Sequence, residues 1–445
     1  MCPESESTER LRPSSTNKQL DFNLDFECGL DGTPNALLLI KRYQRSSAGQ
    51  QMGCHEVRCP AMLRLTMHFL LNITLNTVST SFPDRFHFIE DRLRSMTKDF
   101  CVQIPRMTAG DQLAAIPMFE AVARFRIWSH LLLCHGDELA VDSKAADSAQ
   151  TLSRILNLNR KWTYSAARNM QHFEAVLDRL SSLYSLRRFD SLSVDVQRDQ
   201  IEMLCASAFH KLADSAARRI ANGQDMAKRT LCSVALPVQI RKHQRIKRAM
   251  ALIDAFCGGN RARFFRIYGR DLTLCEQAVL YPVLDRFRVR FIGKMVHRKC
   301  VKMPPWNPLY ALSSFSRDFG FDDVEDADHF VSWFGGFGEM EMERINASGL
   351  TADDLQRMKR LKQRQRFGAR RHFAASLERE GLQRLIQSAS YSQIERVHFD
   401  SILKRAETLK SNAAIHDLVD EAVNRHNVEE CSLAEAIQGI DALTL

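Results

Sequence analysis

From Ser81 onward the apolar residues Phe82, Phe86, Ile89, Leu93, Met96 and Phe100 recur at alternating steps of four and three, the spacing of one face of an α-helix. Ser81 as N-cap, Pro83 near the first helical position and Asp84 in the first turn give this helix its start, and Pro105 closes it. A second stripe after Thr108 contains Leu113, Ile116, Phe119, Val122, Ile127, Leu131 and Cys134, and Pro117 inside it predicts a kink or a split into two helices. The same period runs through 57–79, 145–158, 164–186, 196–222 and 243–257, whereas strand-like alternation is nearly absent before residue 280. Successive helices with short connections predict an all-α chain built as a helical-hairpin solenoid. No tetratricopeptide consensus repeats along it, so the repetition is expected in structure only.

The pattern changes near Leu280. A basic amphipathic helix is expected over 284–300, shorter ones over 308–318 and 326–334, then the turn Gly335-Gly336-Phe337-Gly338, with β-capable pieces at Leu385-Ile386 and Ser390-Tyr391. Three short helices and a glycine-rich turn suit a winged-helix module with a charged insertion over 340–380. The domain organisation expected is an extended N-terminal segment 1–55, loosely ordered over its first thirty or so residues, a hairpin stack 56–275, a winged helix 276–395 and a tail 396–445. The tail is expected to be helical over 400–410 and 413–426, and from Ala414 to Leu445 it carries seven acidic residues and one basic one.

Composition narrows the class without naming a chemistry. At 445 residues, with 45% hydrophobic and 26% charged, the chain has the make-up of a folded protein of more than one domain. The 12 cysteines are scattered, form no C-x-x-C pair and follow no signal-peptide pattern, which predicts reduced thiols in an intracellular protein and makes the sequons at Asn72 and Asn346 incidental. Cys54-His55 with Cys59, and His297 with Cys300, lack a second pair at zinc-site spacing, so no metal is expected. No apolar run approaches the roughly 18 residues of a membrane span.

The net charge of +9 is unevenly placed. From Val238 to Lys302 sixteen Lys or Arg stand against four Asp or Glu, and from Arg357 to Arg371 eight basic residues have no acidic neighbour. Such stretches are the electrostatic footprint of a polyanion partner. The candidate nucleic-acid contacts are Arg286, Arg288, Arg290, Lys294, Arg298 and Lys299, with Lys359, Arg360, Lys362, Arg364 and Arg366 as a second patch. For the second patch an exposed arm or nuclear-import signal is the competing reading. The interleaved rings Phe264, Phe265, Tyr268, Phe287 and Phe291 have the spacing of buried helical positions and are expected in the core.

The sequence holds no nucleophile elbow, phosphate-cradling loop, zincin helix or dinucleotide fingerprint. Gly258-Gly259-Asn260 reads as a helix–helix turn, and His130 as a hydrogen-bonded core histidine. Arg92 and Asp99, on the flank of the Phe82–Phe100 stripe, are read as half-buried ion-pair members, with a partner contact as the alternative. A non-enzymatic protein without cofactor or small-molecule substrate is expected.

Several segments, in order, carry a resemblance. They are Met1-Cys2-Pro3-Glu4 with Arg10; Lys41, Arg42, Tyr43, Arg45 and Gly49; Arg58 with Pro60; Asp91, Arg92, Arg94, Asp99, Phe100 and Gln103; Glu120, Arg124, Phe125, Ile127 and His130; and Gly259, Asn260, Arg263, Phe264 and Phe265. Together, from residue 1 to about 340, they resemble the homology domain of the Sac-three/GANP family. Cys59-Pro60 stands where the family has Pro-Pro, and Ser95 to Lys98 replace a more basic run. The resemblance implies a hairpin stack ending in a winged helix, related to PCI-type scaffolds. It further implies a TREX-two-like assembly with a PCI-domain protein and a small acidic subunit, RNA contact through paired winged helices, and a role in nuclear mRNA export. The length is similar to that of short family members, which act in centrosome duplication and on the mitotic spindle, and that role is the alternative. Nucleus and cytoplasm, or centrosome and spindle, are the matching locations.

Overall fold

The computed structural model describes residues 2–11, 26–28, 38–44, 56–76, 80–133, 164–186, 194–218, 223–233, 236–297, 312–321 and 382–386, with single positions at 23, 189, 192, 324, 327, 328 and 330. All regular structure among them is helical, and none of the described helices is long and apolar enough to cross a membrane. The chain divides into two compact units, Met1–Val122 with Gln387–Leu445, and Ala123–Ile386.

In the first unit, helix α1 spans Glu4–Leu11, α2 Pro60–His68, α3 Phe82–Gln103 and α4 Ala109–Ala114. The sequence predicts an extended, loosely ordered N-terminus; instead α1 forms, and its Arg10 is buried because it meets Glu27 in the same unit. Helix α2 begins with Pro60 in its first turn, where the missing N–H costs no bond, and runs on through a π-turn, Phe69–Ile73, and a 3-10 turn, Thr74–Asn76. Helix α3 starts as its sequence predicts: the Ser81 hydroxyl accepts from the Asp84 N–H at 3.3 Å. Its stripe is core, with Phe82, Ile89, Leu93, Met96 and Phe100 each at most 1% exposed. The Phe100 ring meets Phe119 edge-on at 4.9 Å. A Thr108 to Asp111 capping box starts α4.

Helix α5 spans Ile116–Leu133, and the break before it, at Ala115, realises the split that Pro117 predicts, since a proline in the second helical position removes no helix hydrogen bond. In the second unit α6 spans Ala166–Tyr184, α7 Val194–Arg218, α8 Gly223–Cys232, α9 Val238–Lys242 and α10 Gln244–Gly258. They are followed by α11 Arg261–Asp271, α12 Leu274–Leu280, α13 Leu284–His297, α14 Leu312–Asp318 and α15 Leu382–Ile386. Helix α7 packs against α6, α8, α10, α12 and α13, and its neighbours pair in sequence, α7 with α8 and α10 with α11. The α10–α11 turn is the one read from Gly258-Gly259-Asn260. Gly259 takes the left-handed conformation at φ 73°, the Asn260 N–H reaches back to the Ala255 carbonyl at 2.8 Å, and the Asn260 side chain caps α11.

The rings among the basic residues are core, as expected. Phe256 packs against Phe264, Phe287 and Phe291, with centroids 6.0, 4.4 and 5.9 Å away, and Phe315, Phe319, Phe321 and Phe330 extend the same cluster. Each such ring contributes about 1.5–3 kcal/mol by leaving water. Leu385 and Ile386, read as β-capable, lie in α15, where buried Ile386 belongs to a helical face. The expectations for 145–158, 335–338, 340–380, Ser390-Tyr391 and 396–445 fall outside the described residues, and of 326–334 only 327, 328 and 330 are described, all helical.

Gly320 closes α14 in the same way as Gly259 closes α10. It sits at φ 60°, the Phe321 N–H bonds the Ser316 carbonyl at 2.9 Å, and a Cβ there would lie 2.7 Å from Phe265 Cδ1. Gly320→Ala is therefore expected to lower stability by about 1–3 kcal/mol, from the left-handed backbone plus the displaced ring. Gly258→Ala, with open space around its Cβ position, is expected to leave the melting temperature nearly unchanged, and thermal denaturation of the two variants checks the contrast.

Candidate functional site

Arg10, Lys41, Arg58, Arg92 and Asp99, among the charged residues that carry the sequence resemblance, converge on two buried points in the first unit. Residues 39–44 are non-helical and lie along α3. Lys41 Nζ reaches Asp99 at 2.7 Å, and Arg58 Nε reaches the other oxygen of the same carboxylate at 2.7 Å. Arg58 also donates to the Ser95 hydroxyl at 2.9 Å, and the Gln103 amide donates to the carbonyls of Arg58 and Asp99 at 2.7 and 2.9 Å. One carboxylate thus ties the extended segment and the entry of α2 to the last turns of α3.

The second point is Glu27, whose side chain is fully buried. It accepts from Arg10 and from Arg92, the latter at 3.0 Å, and from the Asn23 and Ile40 N–H groups. Burial pushes its carboxyl up, but Arg92 and Arg10 outweigh that and hold it below the usual range. Arg92 also pairs with Asp91 at 2.8 Å, Asp91 accepts from the Tyr43 N–H at 3.2 Å, and the Arg94 guanidinium lies 3.8 Å from the Tyr43 ring centroid. Arg92 and Asp99 are ion-pair members, but buried, at 5% and 0% exposure, instead of half-buried. Glu27 escaped the sequence reading because no local pattern marks its charge pairing; its two arginine partners lie 17 and 65 residues away.

The second unit has its own lattice. Arg124 on α5 reaches Asp199 and Glu202 on α7, both at 2.8 Å. Arg245 on α10 reaches Glu202 at 2.9 Å and Glu276 on α12 at 2.8 Å, and the Thr273 hydroxyl donates to Glu202 at 2.9 Å. Burial pushes Glu202 up, yet Arg124 and Arg245 together bring it down to about 2, while for Glu276 burial outweighs Arg245 and its carboxyl is raised. His130, half-buried on α5, sits 3.0 Å from the Tyr164 hydroxyl, a structural contact. Among the described residues no three His, Cys, Asp or Glu side chains are grouped as metal ligands. These clusters are braces between helices.

The candidate nucleic-acid contacts fare unequally. Arg288 is removed from the set: it is 4% exposed and donates to the carbonyls of Phe319 and Gly320 at 3.0 and 2.6 Å and to Asp285 at 2.8 Å. Its guanidinium lies 4.0 Å from the Phe321 centroid, so it locks α13 to the end of α14 and has no face for a phosphate. Arg290 is exposed and lies over Phe256 at 4.6 Å, and Arg286 is half-buried. The side chain of Lys294 lies outside the described residues, as do Arg298, Lys299, Lys359, Arg360, Lys362, Arg364 and Arg366, and from the family motif Arg45 and Gly49.

A denser group of exposed cations lies earlier in the chain. Arg241 and Lys242 on α9, Lys247 and Arg248 on α10, and Arg263, Arg266 and Arg270 on α11 are all exposed. The available signal was their position opposite the buried stripe Ile246, Ala249, Leu252, Ile253 and Phe256.

Residues 1–336 match the family model described as the SAC3/GANP family. Over 162 residues the chain is 30% identical to Protein xmas of Drosophila melanogaster, a stretch that covers 35% of this chain and 7% of that protein. The chain therefore spans a small part of the length of this curated relative. No solved structure matches it.

Proposed function

This chain belongs to the SAC3/GANP family, a family of scaffolds linked to mRNA export, and from that premise we propose that it is a non-enzymatic scaffold of a TREX-two-like assembly. In this reading it holds a PCI-domain partner and a small acidic subunit, contacts RNA, and supports nuclear mRNA export. The observation that carries the reading is the internal use of the motif residues. Lys41, Arg58, Asp91, Arg92 and Asp99 are engaged with one another or with Glu27 in the first unit, and Arg124 with Asp199 and Glu202 in the second, so within each unit they brace the helices. What remains for a partner is the surface, and in the second unit it is rich in exposed cations on α9 to α11. Helices α13 and α14 are the opening helices of the winged-helix module in this proposal, with Arg286 and Arg290 on its nucleic-acid side.

Affinity purification of the tagged full chain after ultraviolet crosslinking in cells tests it. The expected result is co-purification of a PCI-domain protein and a small acidic protein together with RNA adducts. Centrosomal localisation through mitosis, with no RNA adducts and no PCI-domain partner, would overturn the export reading in favour of a spindle scaffold.

A further inference from the structure

Helices α9, α10 and α11 carry seven exposed cations against two exposed carboxylates. The cations are Arg241, Lys242, Lys247, Arg248, Arg263, Arg266 and Arg270; the carboxylates are Asp254 and Asp271. Asp254 already pairs with Lys228 of α8 at 2.6 Å, so it does not offset them. None of the seven cations has a salt bridge or a side-chain hydrogen bond among the described residues. The Gly259-Asn260 turn joins α10 and α11, which pack against each other. Arg263, Arg266 and Arg270 recur on α11 at steps of three and four, and Lys247 and Arg248 lie on α10 outside the buried stripe Ile246, Ala249, Leu252, Ile253 and Phe256.

From this arrangement we infer that the α9–α11 ridge is a phosphate-tracking surface for single-stranded RNA. The inference rests on the RNA reading of the proposed function and locates it. Charge complementarity names the occupant: unpaired cations recurring along these helices match a phosphodiester backbone, whose neutralisation releases counterions. An acidic protein partner would be centred on buried aromatic or aliphatic anchors, and neither α10 nor α11 exposes a large apolar side chain; Val238 on α9, at the edge, is 46% exposed. With no exposed Phe, Tyr or Trp to stack on, and the His243 imidazole as its one exposed ring, the ridge reads backbone and not bases.

The test uses the full chain with labelled oligouridine and oligoadenosine over a series of salt concentrations. The quadruple variant Arg241→Gln, Lys242→Gln, Lys247→Gln, Arg248→Gln removes four contacts, so its slope of log affinity against log salt is expected to be shallower by about 3 and its affinity at least about tenfold weaker. The triple variant Arg263→Gln, Arg266→Gln, Arg270→Gln is expected to lower the slope by about 2. Arg168→Gln with Arg198→Gln, two exposed arginines on α6 and α7, is expected to leave both quantities unchanged, and equal melting temperatures show that all variants are folded. Wild-type binding with unchanged slopes in both ridge variants overturns the ridge and leaves the RNA reading standing. A strong preference for one base overturns phosphate tracking. No binding by the wild type overturns the RNA reading itself, and the ridge with it.

Discussion

Asp99→Ala is expected to lower stability by about 3–5 kcal/mol, a large share of the 5–15 kcal/mol that typically separates a folded domain from its unfolded chain. The reason is stoichiometric. One carboxylate, with no exposed side-chain surface, answers two cations, Lys41 at 9% and Arg58 at 3% exposure, each 2.7 Å away. Removing it leaves both charges in a site that excludes water, and they repel each other there. Asp99→Asn keeps the shape and one acceptor oxygen, so it is expected to fall between wild type and alanine. Asp195→Ala, which breaks a pair 59% and 55% exposed at its two ends, is expected to cost no more than about 0.5 kcal/mol. Urea denaturation followed by circular dichroism reads all three. Added salt should erase whatever effect Asp195→Ala has and leave that of Asp99→Ala, because a buried pair is little screened. An Asp99→Ala midpoint equal to wild type would mean that the extended segment 39–44 does not depend on this brace.

What could be read in advance follows the range of the interaction. Ser81, Pro83 and Asp84 announce the start of α3, and Pro117 announces the break before α5, because caps and prolines act within one helical turn. The core positions of α3 and α10 were legible for the same reason, as periodic stripes. The partners of Asp99 lie 41 and 58 residues away, and no local pattern selects Lys41 and Arg58 among the other cations. Helix α1 was missed because its segment, ESESTERL, has a single apolar residue, and it is held by the Arg10 contact with Glu27 instead of by a stripe. Arg288 was misjudged by charge alone, although its spacing held the correction. Leu284, Phe287, Arg288 and Phe291 fall on one helical face, so Arg288 occupies a core position and must find acceptors there, which the Phe319 and Gly320 carbonyls supply.

Glu202→Gln is expected to cost about 3–5 kcal/mol, and Glu276→Gln no more than about 1 kcal/mol, although both carboxyls touch Arg245. Glu202 touches both Arg124 and Arg245, whereas Glu276 is fully buried and touches Arg245 alone. Burial outweighs that one arginine and raises the Glu276 carboxyl. Glutamine relieves the buried charge and keeps an oxygen for the Thr273 N–H, which Glu276 accepts at 2.9 Å. Glu202 touches both arginines and is held down to about 2 from an ordinary 4.5, a difference worth about 3 kcal/mol. Since the folded value lies below the unfolded one, this contribution is complete above about pH 4.5 and is lost as the pH falls toward 2. Wild type and Glu202→Gln should therefore differ most in melting temperature near neutral pH and converge on acidification through that window. Glu276 carries the opposite sign: its folded value is raised, so the protonated form is the stabilised one and its contribution is lost as pH rises above the ordinary carboxylate range. Glu276→Gln should track the wild-type acid transition at low pH. A Glu276→Gln variant more damaging than Glu202→Gln, or an acid transition unchanged by Glu202→Gln, would show that Glu202 is not the carboxylate on which the two arginines depend.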